Sequence, residues 1–263
     1  MPSRPERLRI GHLCVDPLSF PQAMEEICRL VEAKAGGFVF TPNVDHFVLA
    51  DDDLAFRNAY AKATLSLTDG MPVVWASRFL ETRIPERVSG SDLILPLMEK
   101  AAESGWRVYL LGAAPGVADK AAEVLQKRFP LNIVGTASPH LKPGQTAAES
   151  EPILRQVREA KPDLLLVAFG SPKQEIWIAE VAEHLSPTVA LGIGAGLDFI
   201  SGRVPRAPRW MARVGLEWLY RLSREPRRLW RRYLVNDPRF LGIVLRTRRE
   251  RRLGGGTPGT PEV

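Results

Sequence analysis

The chain predicts an α/β fold, a Rossmann-like, mostly parallel sheet with helices on both faces, followed by a C-terminal basic helical appendage. Three observations carry this. Strand-like and helix-like segments alternate from the N-terminus to about residue 200. The strands are short and continuously apolar, as strands covered on both faces must be. The charge is divided: residues 1–202 hold twenty bases against twenty-five acids, whereas Arg203–Arg252 hold sixteen Arg, no Lys and four acids, a net +12. The division predicted is an α/β body over 1–202, an Arg/Trp-rich helical appendage over 203–249 and a low-complexity, disordered tail over 250–263.

In chain order, residues 7–15 read as a first strand. Pro21 opens a helix to about Lys34, with Met24, Ile27, Leu30 and Val31 inward. Gly36-Gly37 ends it, and Phe38–Phe40 form a strand stopped by Thr41-Pro42-Asn43. His46–Lys62 read as one helix. Leu65 and Leu67 mark a strand ended by Asp69-Gly70, with a helix over Val73–Leu80 behind it. A polar loop carries Arg87, and a helix runs to Ser104. Then Val108–Leu111 is a strand, Val117–Phe129 a helix and Ile133–Gly135 a strand. A Pro/Gly-containing loop over 136–147 and a helix over Ala148–Ala160 follow. The body closes with a strand over Asp163–Phe169, a helix over Pro172–His184 and a strand over Val189–Ile193.

Within the appendage, Met211, Val214, Trp218 and Leu222 share one helical face, and Arg209, Arg213, Glu217, Arg221 and Arg224 trace a polar stripe beside it. Pro226 breaks that helix or starts the next, where Leu229/Tyr233 and Trp230/Leu234 are i, i+4 pairs among further Arg. Trp and Tyr at headgroup level with Arg on phosphate suit an anionic membrane surface. The same residues also fit a solvated terminal helix packed on its own body, or a nucleic-acid binder with stacking aromatics.

Several classes are disfavoured. The 263 residues can bury a full core. Cys14 and Cys28 show neither metal spacing nor a disulfide framework, which fits a reducing cytosol. The N-terminus lacks an apolar signal core, and no apolar run reaches spanning length. The four His, at 12, 46, 140 and 184, have no ligand spacing. Asp51-Asp52-Asp53 falls inside a predicted helix and reads as a solvated face. There is no nucleophile elbow. Gly112-x-x-x-Gly116 is not a dinucleotide fingerprint and lacks the acid about 20 residues on, which argues against NAD.

In parallel sheets ligands sit beyond the carboxyl ends of the strands. That rule selects Thr41, Asn43, Asp69, Gly112, Gly170 and Gly194. Asp69 has two readings, a carboxylate at the ligand edge or a cap on the next helix. Lys173 and Gln174, at a strand-to-helix turn, suit phosphate and sugar hydroxyls, or are simply polar residues in the first turn of a helix. Arg87 suits a diphosphate, or is a surface Arg.

These pieces, in this order, resemble the WecG/TagA/CpsF glycosyltransferases of bacterial cell-surface polymer synthesis. The matching segments are Thr41-Pro42-Asn43, Asp69-Gly70-x-x-Val73-Val74, Glu86-Arg87-Val88-x-Gly90-x-Asp92-Leu93, Leu111-Gly112 and Gly170-x-Pro172-x-Gln174-Glu175. Gly192-x-Gly194-x-x-x-Asp198-Phe199-x-x-Gly202 and Arg206-Ala207-Pro208-x-Trp210 follow. Gly215–Leu222 and Glu225-Pro226-x-Arg228 complete the set. One departure is Ala113, where many relatives carry a second Gly.

The resemblance implies an inverting transfer from a UDP-sugar to a polyprenyl-diphosphate-linked sugar acceptor, with N-acetylmannosamine, its uronic acid or another hexose moved. It implies Asp69 as base, with Thr41 and Asn43 lining its pocket. Arg87 and Gln174 would meet the diphosphate and sugar, and Asp198 the nucleoside. Gly112, Gly170 and Gly194 are expected at the phosphates, and Arg221 or Arg224 is expected to fold over them. No metal or other cofactor is expected. The expected setting is cytoplasmic, peripheral on the inner face of the plasma membrane. No nucleic-acid partner is expected, and a homo-oligomer is left open.

Overall fold

The computed structural model describes residues 5–139, 150–208, 210–211 and 214–253. Eight strands are seen among them. β1 (Leu8–Ile10) and β2 (Leu13–Val15) form an antiparallel hairpin. β3 (Gly37–Phe40), β4 (Leu65–Ser66), β5 (Arg107–Gly112), β6 (Asn132–Ala137), β7 (Leu164–Ala168) and β8 (Val189–Gly192) form a sheet of order β4-β3-β8-β7-β5-β6, with every pair parallel. The helices of the body are α1 (Phe20–Glu32), α2 (Val44–Asp52), α3 (Leu54–Ala61), α4 (Met71–Phe79), α5 (Gly90–Ser104), α6 (Val117–Arg128), α7 (Glu151–Ala160), α8 (Lys173–Leu185) and α9 (Gly196–Ile200). The segment after residue 203 adds α10 (Glu217–Arg224), α11 (Pro226–Arg231), a π-helical turn (Arg232–Asn236) and α12 (Arg239–Leu253).

The continuously apolar strands serve two cores. Phe38, Phe40, Leu165 and Val167 enter one cluster with Phe47, Phe56 and Trp177 of α2, α3 and α8. Val39, Leu164 and Leu166 enter the other with Ile27, Leu93, Leu97 and Leu125 of α1, α5 and α6. A period of two sends neighbours to opposite faces, so both must be apolar. α1 starts on a capping box between Ser19 and Gln22.

Three local expectations are corrected. Residues 7–15 are two strands, because Gly11 turns the chain at φ 57. A Cβ on Gly11 would lie 2.6 Å from the Ile243 side chain, so the turn must be bare where α12 lies against it. The predicted helix over 46–62 is two helices. Asp53 is extended (φ −118, ψ 109), and its side chain accepts the Phe56 N–H at 3.0 Å, capping α3. The predicted Asp-rich solvated face is also not free. Asp51 meets Arg246 at 2.7 Å, and Asp52 takes both nitrogens of Arg239 at 2.7 and 2.9 Å.

The C-terminal helices pack on this body. Phe240, Ile243 and Val244 of α12 are buried in the same cluster as Phe47 and Ile10. At roughly 1.5–3 kcal/mol for each buried side chain of this size, that contact is worth roughly 5 kcal/mol or more. Gly11 N–H donates to Thr247 Oγ1 at 2.9 Å, and Arg9 pairs with Glu250 at 2.7 Å. α12 continues to Leu253, past the expected end at 249.

The single helix expected across Met211–Leu222 is interrupted: Trp210 and Met211 are helical, Gly215 adopts φ 76, and α10 starts anew at Glu217. Arg209 and Arg213 of its expected stripe lie outside the described residues. Pro226 starts a helix rather than merely ending one. The predicted loop over 136–147 begins later, since Thr136 and Ala137 belong to β6. Residues 140–149, including His140, and 254–263 lie outside the described residues.

Candidate active site

A cavity of about 560 Å³ opens at the carboxyl edge of the sheet. Thr41 after β3, Phe169 and Gly170 after β7, and Ile193 and Gly194 after β8 form its floor. Ser89, Gly90 and Ser91 bring the start of α5 to its side. A Cβ on Gly90 would meet Thr41 Oγ1 at 3.0 Å and the Gly192 carbonyl oxygen at 3.2 Å. Only glycine lets α5 begin that close to the strand ends. The far wall is Arg221, Glu225, Arg228, Leu229 and Arg232, from α10, α11 and the π-helical turn.

Asp69 stands at one end of this cavity, just beyond β4. Its N–H is tied to the Pro42 carbonyl at 2.9 Å. Gly70, not Asp69, holds the cap position of α4, and no side chain caps that helix. The capping reading of Asp69 therefore falls. Its Oδ1 accepts from Arg87 Nη1 at 3.2 Å. Arg87 also gives Nη2 to Asp92 at 2.6 Å and lies 3.6 Å from Glu217. Burial pushes the Asp69 carboxyl up to about 6; Arg87 opposes the shift, and the negative charge of Glu217 adds to it. A carboxylate that binds its proton this firmly is poised as a general base near neutral pH.

Asn43 caps α2 by accepting the Asp45 N–H at 3.1 Å and also accepts from Arg232 Nη2 at 3.1 Å. It therefore pins the C-terminal segment to the strand end. His46 lies deeper, with Nδ1 2.6 Å from the Tyr60 hydroxyl, and burial lowers its pKa to about 3, so it stays neutral.

Gln174 is nearly buried. Its amide nitrogen donates to Glu175 at 2.7 Å, and its oxygen accepts the Gly194 N–H at 3.1 Å. It thus links the start of α8 to the turn after β8. Burial raises the Glu175 carboxyl to about 7. Asp198 lines the cavity 3.7 Å from Arg203, with its pKa raised by burial. Arg221 lies over the Phe199 ring at 5.3 Å and pairs with Glu217 at 2.9 Å.

Thr41, Asn43, Asp69, Gly170, Gln174, Gly194, Asp198 and Arg221 thus meet in one cavity, as expected. Three predicted residues do not line it. Gly112 packs against the Ala168 backbone at φ 108, and Ala114 reaches the cavity instead. Arg224 is exposed, its guanidinium 5.5 Å from the Tyr220 ring. Arg87 lines a neighbouring cavity rather than this one. Arg228 and Arg232 join the site without having been expected there. Arg221, Glu225, Arg228 and Arg232 are spaced by four, three and four, but the chain leaves helical geometry at Glu225 (φ −132, ψ 58), so they stand on separate elements and the spacing alone did not signal a shared wall.

The neighbouring cavity, of about 550 Å³, is mainly apolar and lies between α4 and the C-terminal helices. Asn43, Asp69, Arg221 and Arg232 belong to the walls of both.

The family model described as "Glycosyl transferase WecG/TagA/CpsF family" matches residues 8–254. A protein of Bacillus spizizenii strain W23 is 31% identical over 220 residues, which cover 83% of this chain and 82% of that protein. A protein of Bacillus subtilis strain 168 is 30% identical over 223 residues, 84% of each. Both are named N-acetylglucosaminyldiphosphoundecaprenol N-acetyl-beta-D-mannosaminyltransferase.

Proposed function

The chain belongs to the WecG/TagA/CpsF glycosyltransferase family, and on that premise we propose that it transfers a sugar from a UDP-sugar to a polyprenyl-diphosphate-linked acceptor, inverting the anomeric centre. The sugar named for the two relatives makes N-acetylmannosamine the first donor to try, ahead of its uronic acid or another hexose. The observation that carries the reading is Asp69. It is a carboxyl with a raised pKa on the wall between a polar cavity and an apolar one.

In this reading the UDP-sugar occupies the polar cavity and Asp69 takes the proton of the acceptor hydroxyl. That oxygen bonds to C1 of the sugar as the bond from C1 to the UDP oxygen breaks, and UDP leaves with the electron pair. One base and no covalent intermediate suffice. The departing diphosphate needs positive charge, and Arg221, Arg228 and Arg232 supply it from the wall without a divalent metal. Thr41, Gly170 and Gly194 border the donor from the floor, Gln174 holds that floor in shape, and Asp198 meets the nucleoside. Arg87 acts on Asp69 and Glu217, opposing the protonation that burial favours.

The acceptor's lipid lies in a bilayer, so the enzyme works at the cytoplasmic face of the plasma membrane. Among the described residues no helix is long and apolar enough to cross a membrane. Docking falls to the C-terminal segment. Trp230, Leu234 and Val235 are exposed there beside Arg227 and Arg231.

The test is a panel of UDP-sugars with a synthetic N-acetylglucosaminyl-diphospholipid, each run with and without EDTA. Transfer of one sugar with inverted configuration, unaffected by EDTA, is expected. No transfer from any UDP-sugar, or activity that EDTA abolishes and manganese restores, overturns the reading.

A further inference from the structure

We propose that the apolar cavity beside Asp69 is a seat for the isoprenoid chain of the acceptor, holding the first isoprene units while the diphosphate lies at its inner end. This rests on the function proposed above and adds a binding site for the lipid itself, distinct from docking on the bilayer surface.

The cavity has a polar end and an apolar end. At the inner end stand Asn43, Asp69, Arg221 and Arg232, which also line the donor cavity. A ligand entering from the apolar side therefore reaches the base that serves the donor. The inner end also holds a donor without a hydrogen bond. The buried Arg232 Nε makes none, its acid neighbour Asp45 standing 3.4 Å away. Such a donor costs free energy unless an acceptor, such as a diphosphate oxygen, meets it.

Outward the walls become hydrocarbon and ring: Met71, Trp75 and Phe79 from α4, Trp218 from α10 and Leu241 from α12. Trp75 is 48% exposed, Phe79 42% and Leu241 65%, so the apolar surface continues to the outer rim. Trp218 braces its wall edge-on against Tyr233, with ring centroids 5.9 Å apart.

Charge within and hydrocarbon without match one chemistry, a diphosphate head on a linear run of isoprene units. A cavity of about 550 Å³ is in the range that encloses a small-molecule ligand, roughly 300–1,000 Å³. A protein partner would leave the inner Arg232 Nε without its hydrogen bond. A flat bilayer surface would not reach Asp69.

The test separates chain binding from catalysis. Farnesyl diphosphate and inorganic diphosphate are titrated into the full chain, read by tryptophan fluorescence, since Trp75 and Trp218 line the cavity. Farnesyl diphosphate should bind at least tenfold more tightly. In Leu241→Asp and in Trp75→Ala that ratio should fall towards one, with melting curves recorded to show that both variants fold. Leu241 is exposed enough that its replacement leaves the packing intact.

A ratio near one in the wild type, or a ratio unchanged in both variants, overturns the proposal. So does a change of oligomeric state with the ratio intact, which assigns the groove to a second copy. Loss of binding to anionic vesicles with the ratio intact assigns it to the bilayer surface and likewise overturns the proposal. Transfer assays run in parallel keep the two readings apart. Preferential farnesyl binding without transfer of any sugar leaves the groove standing and removes the enzymatic reading. Transfer at equal KM to acceptors with and without the chain does the reverse.

Discussion

Arg87 donates to Asp69 across 3.2 Å, yet the Asp69 carboxyl still titrates near 6. Burial outweighs the guanidinium, and the negative charges of Glu217 and Asp92, which also face Arg87, add to the shift. The protonation of Asp69 is therefore set by a balance, and the balance can be moved.

Activity should rise with pH through an acid limb near 6, because Asp69 must lose its proton to act as base. Arg87 favours the charged form, so Arg87→Gln should shift the limb to higher pH. Glu175 titrates near 7, and Glu175→Gln should leave the limb where it is. A profile of kcat/KM against pH in the three proteins checks this. A limb that moves in Glu175→Gln and not in Arg87→Gln contradicts the assignment.

Asp69→Asn should lower turnover by about 10²-fold or more while raising stability at pH 7.5. The folded protein binds the Asp69 proton more tightly than the unfolded chain, where the group titrates near 3.8. Stability therefore falls as pH rises from about 4 through about 6, and the cost is fully present above that range. A tenfold difference in proton affinity corresponds to about 1.4 kcal/mol, so a gain of up to about 3 kcal/mol is expected in Asn. Thermal melts at pH 4 and 7.5 read it. A variant less stable than wild type at pH 7.5, or one with near-normal turnover, would contradict the role.

Gln174 is held from both ends, by Glu175 and by the Gly194 N–H. Glu175→Leu should release it and raise KM for the UDP-sugar by about tenfold, equivalent to about 1.4 kcal/mol of binding. Glu175→Gln retains an acceptor at the same place and should restore most of the affinity. Equal KM values in the two variants would remove the positioning role.

Ala113 sits at φ 60, the left-handed region that favours glycine. Ala113→Gly should relieve about 1 kcal/mol of backbone strain and raise the melting temperature by a few degrees. A lower melting temperature would show that the methyl group's packing against the neighbouring helix outweighs the strain.

Many of the late Arg are already paired with acids of the body, among them Arg239 with Asp52 and Arg246 with Asp51. Arg227 and Arg231 are exposed and have no ion pair among the described residues. Anionic vesicles should bind the full chain at low salt and release it at high salt, since the attraction is screened within a Debye length. Arg227→Glu with Arg231→Glu should weaken flotation by several tenfold, at about 1 kcal/mol for each cation removed. A protein that stays off the vesicles at low salt has no such docking face.

The sheet was legible because its strands are apolar on both faces, and the strand-end rule chose Asp69, Thr41 and Gly194 without the structure. The Asp53 cap and the Gly11 turn were not legible, because each is decided by a distant contact or a single backbone angle. Arg232 joins the site because the π-helical turn folds back on α2, where it meets Asn43 and Asp45, and Glu217 reaches Arg87 from α10. Nothing local in the sequence states that return. Arg224 and Arg228 belong to the same basic run; the resemblance pointed to Arg221 or Arg224, and the cavity is lined by Arg221 and Arg228. Only the helical phase, fixed where Pro226 restarts the helix, separates them.

The docking of α12 against Gly11 and Phe47 joins segments more than 190 residues apart in one core. A ribosome makes β1 and α2 before α12, so the growing polypeptide carries Ile10 and Phe47 without this cover until α12 has emerged. Arg221, Arg228 and Arg232 emerge shortly before α12. A copy that stops before Arg221 therefore lacks both the α12 cover over this core and the arginines of the cavity wall.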